Sequence, residues 1–104
     1  MNGLSRISMQ NLEEIKVKLR AHKNALSKKY HISKLSVFGS YARGEQQENS
    51  DLDILVDFKE NIGIKIIDLA EELEQIIGLK VDLISRNALK TCYFMAIEKE
   101  LVNV

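Results

Sequence analysis

Residues 39–56 read GSYARGEQQENSDLDILV, and this stretch decides the fold. A Gly39-Ser40 pair is followed by ten intervening residues and then by Asp51-Leu52-Asp53, which opens the apolar run Ile54, Leu55 and Val56. Successive side chains of a strand leave on opposite faces, so Asp51 and Asp53 are expected on one face, with Cα atoms about 6.5–7 Å apart. Both carboxylates can then reach one cation. Two like charges side by side repel, and the chain gains nothing from them without a positive partner between. All-oxygen ligands favour Mg²⁺ or Mn²⁺ over zinc, and Mg²⁺ is typically held by one or two carboxylates together with substrate phosphates. Taken alone, the pair also reads as a hairpin strand that starts with two solvated aspartates.

The residues upstream narrow the choice. Lys34 to Phe38 (KLSVF) reads as a strand, with Leu35 and Val37 on one face and Ser36 and Phe38 on the other. It stops at Gly39, where backbone must turn sharply or approach a ligand closely. Ser40 falls where a helix N-cap would, and Tyr41-Ala42-Arg43 can form one short helical turn ending at Gly44. Free N–H groups at such a turn, with the guanidinium of Arg43 beside them, make an anion site. Read without the aspartates, Ser40 is an ordinary cap and Arg43 a solvated surface residue. The Walker-type Gly-x4-Gly-Lys-Ser/Thr pattern is absent. A small backbone loop for phosphates, followed by a metal-holding acidic pair, is what nucleotide transfer needs.

Gly39-Ser40, ten residues and Asp51-Leu52-Asp53 together resemble the signature of the DNA polymerase beta nucleotidyltransferase superfamily. The strings SYARG, SDLDILVDF and IGLKVDLIS (Ile77 to Ser85) are similar to those of the minimal nucleotidyltransferases. These are small prokaryotic proteins usually encoded beside a HEPN-domain partner as toxin–antitoxin pairs. The resemblance spans roughly Lys34 to Ser85; departures from it are concentrated after Ser85, where Cys92 to Met95 match nothing specific. It implies a polymerase-beta-like nucleotidyltransferase fold. It also implies a substrate, ATP, and two Mg²⁺ ions, with Mn²⁺ as an alternative, held by Asp51, Asp53 and a third carboxylate. Asp82 matches that third position. Read from the residues, Asp82 interrupts the apolar run Val81 to Ile84, where an unpaired buried charge is costly; it is otherwise a strand-end aspartate reaching solvent. By the same resemblance, Gly39 and Ser40 cradle the β- and γ-phosphates with Arg43 assisting.

The implied activity is transfer of AMP from ATP to a hydroxyl, a tyrosine of the HEPN toxin, with this chain as the antitoxin. Two other readings share the motif. One is a binding-only antitoxin that silences its toxin by forming a complex. The other is a small-molecule nucleotidyltransferase of the aminoglycoside-modifying kind, which usually carries an extra helical domain for its acceptor.

Composition sets the outer bounds. At 104 residues the expectation is one domain spanning 1–104, with Met1 to Ser8 as a loosely ordered polar lead. Fifteen basic and fifteen acidic side chains cancel, so there is no electrostatic footprint for direct nucleic-acid binding, which argues against a processive polymerase. The lone Cys92 excludes an intramolecular disulfide and any multi-cysteine zinc site. No signal peptide or membrane-spanning run is present, so a cytoplasmic location is expected.

Periodicity then lays out an α+β chain: a short mixed sheet with helices packed on one face. Leu12, Ile15, Leu19, His22 and Leu26 form one stripe of a helix from about Met9 to Lys29, with Glu13 and Glu14 in its first turn and Lys28 and Lys29 in its last. Glu45 to Asn49 reads as an exposed loop. A second helix from Ile64 to Ile77 stops at Gly78, a strand follows at Val81–Ile84, and a third helix is expected from about Asn87 to Glu100. Tyr93, Phe94, Met95, Ile97, Leu101 and Val102 make that last segment apolar nearly all round, suited to core packing or to a homo- or hetero-oligomeric contact. His22 and His31 are expected to cap or line a surface, since neither lies near the carboxylates in sequence.

Overall fold

The computed structural model describes residues 10–104, so the Met1–Ser8 lead lies outside the described residues. Helix α1 runs over Leu12–Tyr30. Its start is set by Asn11, whose side chain accepts from the Glu14 N–H while the Glu14 carboxylate accepts from the Asn11 N–H, a complete capping box. Glu13 and Glu14 lie at the positive end of the helix dipole and Lys28 and Lys29 at the negative end. His31 ends the helix in a left-handed conformation with φ 57°. Ile15, Leu19, Leu26 and Tyr30 are buried, each such side chain stabilising the fold by roughly 1.5–3 kcal/mol. His22 is not among them. It lies about 50° off the centre of the buried arc, stands exposed, and its ring pairs with the Lys18 carbonyl of its own helix.

Four strands form one sheet in the order β3-β2-β1-β4. Strand β1 spans Ile32–Phe38, two residues longer at its start than the sequence suggests, and pairs antiparallel with β2, Leu52–Phe58. The register sets Leu35 against Val56 and Val37 against Ile54 on the face that packs on the core. Ser36 faces Leu55 and Phe38 faces Asp53 on the other side. Between β1 and β2, the turn α2 at Ser40–Arg43 and the mostly exposed segment from Glu45 to Asn49 reverse the chain. Helix α3, Lys65–Ile77, then carries the chain across to β3, Val81–Ser85, which lies parallel to β2. Leu69, Leu73 and Ile77 seat α3 beside α1 on the core face, and Gly78 ends it at φ 81°.

The C-terminal segment departs from the single helix expected over Asn87–Glu100. A 3₁₀ turn at Arg86–Ala88 precedes helix α4, Thr91–Ile97, and a second 3₁₀ turn at Glu98–Glu100 leads into β4, Val102–Asn103. No residue of α4 is buried: Phe94 turns toward the sheet, while Tyr93 and Met95 are 62% and 64% exposed. The apolar run therefore divides, with one part laid over the outer sheet face and the other left open. Strand β4 consists of two residues, too short for a period-2 pattern to register, and it continues the sheet beyond β1.

Candidate active site

The chain turns out of β1 at Gly39, with φ 76° and ψ −154°. A Cβ built there would lie 2.1 Å from Asp53 Oδ2, so the glycine is required both by its backbone and by the carboxylate packed against it. Gly39, not Ser40, takes the N-cap position of α2, and Ser40 is the first residue of the turn itself. Gly44 closes the turn in a left-handed conformation, as the spacing suggests. At the other end of the loop, Ser50 and Asp51 lead into β2. Phe38, Gly39, Ser40, Arg43, Ser50, Asp51, Asp53, Ile97 and Glu100 line one open pocket of about 370 Å³. The Gly-Ser turn and the Asp-x-Asp pair, separated by ten residues in sequence, meet in space.

Asp51 lies just before the first residue of β2 and is exposed; Asp53 lies inside the strand and is partly buried. Asp82 is the register partner of Asp53 across the parallel pair and is exposed on the edge strand β3. It does not line the pocket itself. Burial above all, together with the negative charges of Asp82 and Asp51 and against a smaller opposing pull from Arg43, pushes the Asp53 carboxyl up to about 6. None of the three aspartates has an ion-pair partner among the described residues. Nor do three His, Cys, Asp or Glu side chains converge into a ready-made cation cage among the described residues. An all-carboxylate set without an ion-pair partner suits a hard divalent cation that brings further ligands with its substrate. Arg43 is held by two carboxylates: its Nε donates to Glu45 at 2.8 Å and its Nη1 to Glu100 at 2.9 Å.

A family model described as "nucleotidyltransferase domain" matches residues 19–103. The chain belongs to this family. The chain is 44% identical over 99 residues to the protein adenylyltransferase MntA of Thermococcus cleftensis, covering 94% of this chain and all of that one. A solved minimal nucleotidyltransferase superposes with a TM-score of 0.79 at 32% identity, over 93% of this chain and 99% of that chain. A lower likeness, 18% identity at a TM-score of 0.63, joins it to a Shewanella oneidensis assembly of a tri-AMPylated HEPN toxin with its MNT antitoxin. That match covers 86% of this chain and 70% of that chain, and it is a likeness of fold. The minimal-nucleotidyltransferase fold and the transferase class implied by the resemblance over Lys34 to Ser85 both hold. No helix among the described residues is long and apolar enough to cross a membrane.

Gly39, Ser40, Arg43, Asp51 and Asp53 are thus gathered at one pocket, and Asp82 lies one strand away on the same sheet face. Sequence reasoning missed Glu100. It falls sixty-one residues from Gly39, yet its Oε2 accepts from the Gly39 N–H at 2.5 Å. The signal that could have found it is the pairing of β4 with β1, which two residues cannot announce.

Proposed function

We propose that this chain transfers AMP from ATP to a tyrosine hydroxyl of a HEPN partner toxin, and that the transfer silences the toxin. The observation that carries the reading is the shared pocket, where a glycine-bounded turn with Arg43 faces Asp51 and Asp53 across a space open to solvent. The protein-adenylyltransferase naming of its relative in Thermococcus cleftensis supports the chemistry, and the Shewanella oneidensis assembly supports the kind of partner.

In this scheme Asp51, Asp53 and Asp82 hold the divalent cations, Mg²⁺ or Mn²⁺. When bound, these supply the charge that neutralises the triphosphate and stabilises entering and leaving oxygens of an in-line displacement. Gly39 and Ser40 face the β- and γ-phosphates, and Arg43 offers its guanidinium fork to a phosphate oxygen. The tyrosine oxygen attacks the α-phosphorus, a new O–P bond forms, and the bond to the β-phosphate bridge breaks so that pyrophosphate leaves. Asp82, exposed on the edge strand, orients the acceptor hydroxyl and takes up its proton. The pocket is open to solvent, and the partner supplies the surface that carries the acceptor.

Pyrophosphate release from ATP, measured with purified toxin as acceptor, is expected to require Mg²⁺ or Mn²⁺ and to stop when the metal is chelated. Asp51→Asn and Asp53→Asn should each abolish it without changing the circular dichroism of the chain. Release that persists in both variants would remove these carboxylates from the reaction.

A further inference from the structure

Glu100 plays no part in the scheme above, yet its carboxylate lies in the same pocket. The pairing of β4 with β1 fixes its place. Ser36 is opposite Asn103 and Val37 opposite Val102, and continuing that antiparallel register by two residues brings Glu100 opposite Gly39. One carboxylate oxygen, Oε2, accepts from both the Gly39 N–H at 2.5 Å and Arg43 Nη1 at 2.9 Å. Its side chain is only 23% exposed, against 66% for Glu45, the other partner of Arg43. Among the described residues that line the pocket Arg43 is the one cation, and Asp51, Asp53 and Glu100 are all anions. A polyphosphate arriving here meets a guanidinium already engaged on two sides.

We propose that Glu100 is an internal stand-in for a nucleotide phosphate, and that it must give up Gly39 and Arg43 before a triphosphate can be seated. The inference rests on the nucleotide site proposed above. Carboxylate and phosphate oxygens compete for the same guanidinium fork and the same kind of backbone donor. Apparent affinity then falls by the fraction of molecules in which Glu100 is withdrawn. Because β4 and the turn before it carry Glu100, the position of the C-terminal strand and the state of the phosphate loop are coupled. A surface that moves β4 or α4 would change nucleotide affinity without touching the nucleotide.

Calorimetric titration of MgATP into the full chain tests this, comparing wild type with Glu100→Gln, Glu100→Ala and Glu45→Gln. Glutamine keeps the size and an acceptor oxygen but not the charge, so the loop retains its brace while the competition weakens. Glu100→Gln and Glu100→Ala are expected to bind about tenfold more tightly, the gain set by the competent fraction. Glu45→Gln should change affinity by less, since Gly39 N–H and Arg43 Nη1 remain occupied. Equal or weaker binding by folded Glu100 variants would overturn the inference and make Glu100 a brace for Arg43. That result leaves the nucleotide site standing, whereas absence of MgATP binding by wild type and variants alike would remove the site as well. A second readout needs no variant: the Glu100 carboxyl-carbon resonance of the wild-type chain should move to a solvated value as MgATP is added. A resonance that stays in place at saturation contradicts displacement.

Discussion

Gly39 and Asp53 constrain each other, and the site depends on that pair. The positive φ of Gly39 and the 2.1 Å approach of a would-be Cβ to Asp53 Oδ2 leave no room for alanine. Gly39→Ala is expected to lower stability by about 1–3 kcal/mol and to cost activity by turning the Asp53 carboxylate away, as checked by chemical denaturation and a transfer assay. Asp53 itself costs stability while no cation is bound. Its folded-state value of about 6 stands above the ordinary 3.8, so between those limits the folded chain keeps a proton that the unfolded chain has released. The contribution of this group to stability is therefore full below about pH 4 and lost as pH rises through 6. Asp53→Asn should flatten that part of the pH–stability profile and raise the melting temperature of the metal-free chain at pH 7, while transfer is lost. A lower melting temperature at pH 7 would mean that the carboxylate is held by contacts rather than strained by its charged neighbours. Gly39, Ser40, Arg43, Asp51 and Asp53 stand out in the sequence by type and spacing and line one pocket, whereas Asp82 was singled out by the family resemblance and lies one strand away. Glu100 was not legible, because a glutamate at the end of an apolar segment carries no local sign of what it faces.

At the scale of elements, helix α1 was legible from its stripe and its charged ends, and α3 from its stripe and its glycine stop, since both obey local rules. His22 shows the limit of such rules, because a spacing of three residues puts a side chain at the border of a face as readily as in its middle. Strand β4 and the division of the expected Asn87–Glu100 helix were not legible. The two residues of β4 owe their extended form to the free edge of β1, a long-range pairing rather than a propensity. The cap of α1 offers a test confined to one element. Asn11→Ala removes the acceptor for the Glu14 N–H and is expected to cost about 1 kcal/mol of stability, measured by urea denaturation. The transfer rate should be unchanged, since the cap takes no part in the pocket.

At the scale of the molecule, one sheet divides its work between two faces. The face formed by Leu35, Val37, Ile54 and Val56 joins α1 and α3 in the core, and the opposite face carries Asp53 and Asp82. The outer face holds the pocket beside α4, and in the proposed scheme the acceptor is brought there by the HEPN toxin. Intact-mass spectrometry of the proposed HEPN toxin, after incubation with this chain, ATP and Mg²⁺, addresses that directly. The expected result is a gain of one or more whole adenylyl units that is absent with Asp51→Asn. A toxin held in a stable, silenced complex with no gain in mass would contradict transfer as the means of silencing.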